Sequence, residues 1–137
     1  MKKILLLLCA SLLFANSIQL ENKIFCTILQ ALFPNKSVIK VYTNYPNIKK
    51  LSTQSEKIRL VSKKDADIII LDYGEKLQTD KPVFVRKYSL LKRYKSSAIG
   101  GFYWQKGRPN IIFLRPNLQK HNLSLPETFN DYIEEEL

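Results

Sequence analysis

The chain has 137 residues, 22 basic and 12 acidic, with a formal net charge of +10, four glycines, two cysteines and one histidine. Four glycines leave no phosphate-cradling loop of Walker or dinucleotide type, and neither a zinc-spaced His/Cys cluster nor an EF-hand loop is present. A length of this order supports one domain with one core.

Met1-Lys2-Lys3 is a basic start, Ile4 to Phe14 is an almost unbroken apolar run, and Ala15-Asn16-Ser17 ends it with small residues at the −3 and −1 positions. This three-part pattern predicts a secretory signal peptide over 1–17, too short in its apolar part to remain as a spanning helix. Cleavage after Ser17 leaves residues 18–137 as a single periplasmic domain, with 20 basic residues against 12 acidic ones. Export turns that basic balance away from nucleic acid and towards an anionic ligand, a membrane surface or a protein of the envelope. A lysine-rich composition, 17 lysines to five arginines, accounts for the same balance with no partner. Cys26 is then the sole cysteine. Without an internal disulfide the core alone must hold the fold, and Phe25, Ile28 and Leu29 around Cys26 mark it as a packed thiol.

Leu20, Ile24, Phe25, Ile28, Leu29 and Leu32 follow the apolar stripe of an amphipathic helix over 18–33, which Pro34-Asn35 ends. Ser37 to Thr43 is β-branched and predicts a strand. The loop Asn44–Asn47, a short helix over 48–52 and a brief strand over 58–61 follow. Asp67-Ile68-Ile69-Ile70-Leu71 is apolar beyond its first residue, as expected of a central strand covered on both faces. Asp65 and Asp67 flank its entry and read as turn caps. Pro82–Val85 predicts another strand and Ser89–Tyr94 a helical turn or two.

Ala98–Trp104 and Asn110–Leu114 predict a hairpin through Gln105-Lys106-Gly107-Arg108, because a four-residue, glycine-containing connection between β runs favours that pairing. Pro116–His121 and Pro126–Ile133 predict closing helices, each with proline in its first turn. The expected fold is therefore α/β: a single-domain Rossmann-like mixed sheet with a C-terminal β-hairpin and flanking helices.

Chemistry-bearing sets are sparse. His121 lies in a polar segment without an identifiable partner, and Glu134–Glu136 is a solvated tail. The chain is read as a non-enzyme, with no cofactor and no metal. The dense region is the hairpin, which carries three of the four glycines and the only tryptophan. Strand alternation sends Phe102 and Trp104 to one face and Tyr103 and Gln105 to the other. Tyr103, Trp104, Lys106 and Arg108 form a candidate partner-binding surface, since Trp, Tyr and Arg dominate interface hot spots. Packing of core and edge remains the plainer role for the same aromatics.

From about Asp65 to Leu125 the chain resembles the YfiR-like family of small exported regulators. The likeness is carried by Ala66-Asp67-Ile68-Ile69-Ile70, Ala98-Ile99-Gly100-Gly101-Phe102 and Lys106-Gly107-Arg108-Pro109-Asn110-Ile111-Ile112-Phe113. Arg115-Pro116-Asn117-Leu118 and Asn122-Leu123-Ser124-Leu125 extend it. The resemblance implies a periplasmic module that restrains an inner-membrane diguanylate cyclase or sensor. The family's cysteine pairs are missing here, so redox control does not carry over. The alternative is a single-lobe, solute-binding-like domain for a small anion, held at the carboxyl ends of the strands by Thr43, Asn44, Asp72 and Tyr73.

Overall fold

The computed structural model describes residues 18–47 and 55–137. The signal peptide expected over 1–17 and the short helix expected over 48–52 lie outside the described residues. A helix, α1, runs over residues 18–32. The strands follow as β1 (Ile39–Thr43), β2 (Ile58–Leu60), β3 (Ile68–Leu71) and β4 (Val83–Val85), with a 3-10 turn at Lys63–Asp65 before β3. Helix α2 (Tyr88–Arg93) leads to β5 (Ala98–Gln105), β6 (Arg108–Leu114), helix α3 (Arg115–Lys120), a 3-10 segment (Glu127–Tyr132) and β7 (Ile133–Glu134).

All seven strands join one sheet in the order β2-β1-β3-β4-β5-β6-β7. The first five are mutually parallel, β6 returns antiparallel to β5, and β7 runs parallel to β6. The mixed α/β sheet expected from the sequence is present. Its parallel part has the 2-1-3-4-5 order of a doubly wound sheet, in which the chain leaves β1 and β3 in opposite directions. The carboxyl ends of β1, β3, β4 and β5 therefore gather along one edge.

Alternation along the strands divides the core in two. Ile68, Ile70, Phe84, Phe102 and Phe113 face α1, whose Phe25, Ile28, Leu29 and Leu32 cover them. Ile69, Leu71, Val83 and Val85 face the other way, towards Leu90 and Leu91 of α2. Every residue of β3 and β4 is buried, which is why the sequence there shows no polar alternation.

Four departures from the sequence reading have local causes. Leu20, expected on the buried stripe of α1, is 44% exposed, while Glu21 beside it is buried. The first turn of α1 is oriented by an ion pair rather than by apolar contact. The hairpin connection is a two-residue turn, because Lys106 (φ 51°) and Gly107 (φ 73°) both adopt the left-handed backbone that matches the strand twist. The helix expected over Pro126–Ile133 is a 3-10 segment. Ile133 leaves it to pair with Phe113 as β7, closing the free side of β6. The strand expected to begin at Ser37 starts at Ile39.

Candidate functional site

At the carboxyl edge of the sheet a pocket of about 600 Å³ opens between β3, β4, the start of α2 and the end of β5. Its lining includes Asp72, Arg86, Lys87, Tyr88, Tyr103 and Trp104. Each comes from the residues just past an apolar strand or from the overhanging end of β5. Once the buried β3 and β4 runs stop, the next residues emerge at this edge, where polar groups can be satisfied. Strand β5 has eight residues against three in β4, so Tyr103 and Trp104 stand beyond the end of β4 as a wall.

The pocket floor is an ion network. Arg86 Nη1 donates to Asp72 Oδ1 at 2.6 Å, and Arg86 Nη2 donates to Glu21 Oε1 on α1. Trp104 Nε1 donates to the same Glu21 oxygen at 3.0 Å. The guanidinium carbon lies 3.4 Å from the centre of the Tyr45 ring, which covers the cation's face. The side chains of Glu21 and Arg86 are only 7% and 9% exposed, and Arg86 Nε has no hydrogen-bond partner. Buried charges of this kind persist only when paired, and this set ties α1, β3, β4 and β5 to one another. The Tyr88 and Tyr103 rings, 5.5 Å apart and tilted by 51°, form the opposite wall. Burial, with the neighbouring Tyr88 adding to it, pushes the Tyr103 hydroxyl above the usual tyrosine range, so it stays protonated and able to donate.

A second network lies beside the first. Asn44 Oδ1 accepts from the Asp72 backbone N–H at 2.7 Å, and Asn44 Nδ2 donates to the Tyr73 carbonyl at 3.0 Å and to Glu75 Oε2 at 3.2 Å. Glu75 also accepts from the Tyr42 hydroxyl at 3.3 Å and pairs with Lys63 Nζ at 2.6 Å. Burial alone would push the Glu75 carboxyl up, but the bonds from Lys63, Asn44 and Tyr42 outweigh it and hold the group below the ordinary carboxylate range. The Tyr94 hydroxyl donates to the Glu75 carbonyl at 2.7 Å, fixing the loop after β3 against α2.

The sequence-derived candidates separate on this geometry. Tyr103 and Trp104 line the pocket, and Asp72, named for the anion reading, joins them there. Lys106 and Arg108 sit outside it, exposed at the hairpin turn along a shallow depression shared with Gln105 and Asn110. Thr43 Oγ1 accepts from the Tyr45 N–H at 3.1 Å, and Asn44 spends its side-chain amide inside the protein. Tyr73 projects to solvent, 55% exposed. Asp67 accepts from the Lys40 N–H of β1 at 2.9 Å and pairs with Lys36, a tie to a distant strand and not the turn cap expected of it. Asp65, by contrast, accepts from Ser62 Oγ at 3.2 Å within its own turn.

Sequence reading missed Glu21, Arg86, Lys87 and Tyr88. Arg86-Lys87 directly after the apolar Val83-Phe84-Val85 was a usable signal, because cations following a parallel strand emerge at the carboxyl edge. Glu21 had none, since its partner is 65 residues away. No helix among the described residues is long and apolar enough to cross a membrane. Comparison with protein-family models finds no match for this chain, and comparison with curated protein sequences finds none.

Proposed function

We infer that the chain is an exported, non-enzymatic binding module that regulates an inner-membrane signalling protein, through the face containing the aromatic pocket and the hairpin. The observation that supports this reading most directly is the open, aromatic-walled pocket seated on a buried Glu21–Arg86–Asp72 network. A pocket whose floor joins four elements is suited to a module with two states. An occupant that contacts Asp72, Tyr103 and Trp104 acts on the same network that fixes α1 against the sheet, so its differential affinity biases the state presented to a partner. The resemblance to YfiR-like regulators supplies the class of partner: a diguanylate cyclase or sensor in the inner membrane.

The anion reading finds less support at Thr43 and Asn44, whose polar groups are engaged within the fold. Both guanidinium Nη atoms of Arg86 already face carboxylates.

The test is cellular cyclic di-GMP in a strain lacking the gene and in strains complemented with variants. Deletion is expected to raise the nucleotide, and the wild-type chain to restore it. Tyr103→Ala and Arg108→Ala are expected to fold and yet fail to restore it, because hot-spot truncations cost about 1–3 kcal/mol of binding. Unchanged cyclic di-GMP on deletion would overturn the reading, and full complementation by both variants would move the interface elsewhere.

A further inference from the structure

Strand β5 outruns β4, and the register shows which backbone groups this leaves without a neighbour. The turn at Lys106-Gly107 closes on the pair Gln105–Arg108, which is therefore a hydrogen-bonded pair of the antiparallel ladder. Such pairs alternate, so the next one, Trp104–Pro109, is not hydrogen-bonded, in keeping with a proline that has no N–H to give. The N–H and carbonyl of Trp104 thus point away from β6, towards the line of β4. On that line β4 has ended, with its last residue, Val85, opposite Gly101. Continued in register, the Lys87 carbonyl would accept from the Trp104 N–H. It accepts instead from the Leu90 and Leu91 N–H groups, both at 3.1 Å, as α2 begins. Among the described residues no other backbone group bonds the Trp104 main chain. The pocket of about 600 Å³ is the gap left by this parting, with Lys87 and Tyr88 on one side and the end of β5 on the other.

We propose that an extended peptide segment of the signalling partner adds to this free edge of β5 as a short strand, with apolar side chains at alternate positions. An unpaired main-chain donor and acceptor on one strand residue are matched together by another strand, whose own groups have that spacing. Charge does not select the occupant, because Arg86 already neutralises Glu21 and Asp72 beneath the gap. The side chains fit the same geometry. Tyr103 turns to the α2 side, 5.5 Å from Tyr88, while Trp104 turns to the α1 side and donates to Glu21. Successive side chains of an added strand then meet the tyrosine pair on one face of the sheet and the indole on the other. The proposal rests on the binding-module reading and gives the form in which the partner enters the pocket.

The probes are tryptophan-free heptapeptides selected from a displayed random library on the full chain. Trp104 is the only tryptophan, so its emission reports binding at this edge. At least one peptide is expected to shift that emission and to slow exchange of the Trp104 amide proton by at least roughly tenfold, read by NMR. Methylating the peptide amides one at a time should then find a sensitive amide flanked by tolerant ones, because adjacent amides of a strand point opposite ways. The sensitive position should lose at least roughly tenfold in affinity and its neighbours less than about threefold. Failure of every peptide to shift the emission would overturn the proposal, as would an unprotected Trp104 amide or equal tolerance at all amides, which marks binding by side chains alone. Protection that grows with protein concentration and without peptide would assign the edge to a second copy of the chain and overturn it too. Cyclic di-GMP scores the regulatory reading separately: a rise on deletion, together with any of these failures, removes the added strand and leaves regulation standing.

Discussion

Arg86 contributes the most consequential single interaction. It is nine-tenths buried, and its two Nη atoms neutralise Glu21 and Asp72. Arg86→Ala should destabilise the fold by about 3–5 kcal/mol, because it strands two carboxylates in a largely dry site. Urea unfolding measures the loss. Replacing all three together, as Glu21→Gln, Asp72→Asn and Arg86→Met, should recover most of it, since no uncompensated charge then remains. If the triple variant is as unstable as Arg86→Ala, the guanidinium matters for its shape against Tyr45 and not for its charge. Glu75 gives a pH-dependent counterpart. Its carboxyl lies below the ordinary range when folded, so it stabilises the protein above its unfolded value of about 4.3. That contribution is lost as the pH falls through the folded value. The stability gap between wild type and Glu75→Gln should therefore be full at neutral pH and close in acid. A gap that persists where both forms are uncharged would assign the effect to hydrogen-bond geometry.

At the scale of elements, the hairpin shows why a glycine must be read in place. The paired glycines of β5 need space and not an unusual backbone: the positive φ belongs to Gly107 alone among the described glycines. A Cβ on Gly100 would fall on the Ile112 carbonyl oxygen and close to the Phe113 ring. A Cβ on Gly101 would meet Val85 Cγ2 and the Val85 carbonyl at 3.2 Å, a contact that small shifts can relieve. Gly100→Ala should consequently lower stability more than Gly101→Ala, by about 1–3 kcal/mol as an overpacked core position. Gly107→Ala should cost about 1 kcal/mol, through the backbone alone, as nothing lies within 4 Å of the added methyl. Thermal unfolding of the three variants tests that order, and Gly101→Ala proving the worst would contradict it. Gly100 approaches β6 and Gly101 approaches β4, a difference that strand pairing sets and the paired glycines in the sequence do not show.

For the whole molecule, the proposed export signal and the observed architecture meet at residue 18. Cleavage after Ser17 should give a chain beginning at Ile18, within the first described turn of α1. Mass spectrometry of the protein recovered from the envelope is expected to find that terminus. An intact Met1 in the membrane fraction would replace a cleaved signal with a retained anchor. Helix position makes the expected site informative: Glu21 lies four residues after Ser17, so cleavage there would trim the chain close to the carboxylate that holds Arg86.

By itself the sequence determined most elements and their order. Ile68–Leu71 and Val83–Val85 are apolar throughout, and a buried parallel strand needs nothing else to be recognised. The Gly-containing turn and the β-branched runs on either side made the β5–β6 hairpin equally legible. Tertiary structure decided strand order, the change of Ile133 from helix to β7, and the membership of the pocket. Those depend on which edges are free and which buried charges find each other, properties of pairs far apart in the chain. Tyr103, Trp104 and Asp72 were visible as residue types, but only packing placed them around Arg86. Local periodicity records what each segment buries. It carries no record of a carboxylate on α1 meeting a guanidinium 65 residues later, because that pairing exists only once the sheet has brought both to one edge.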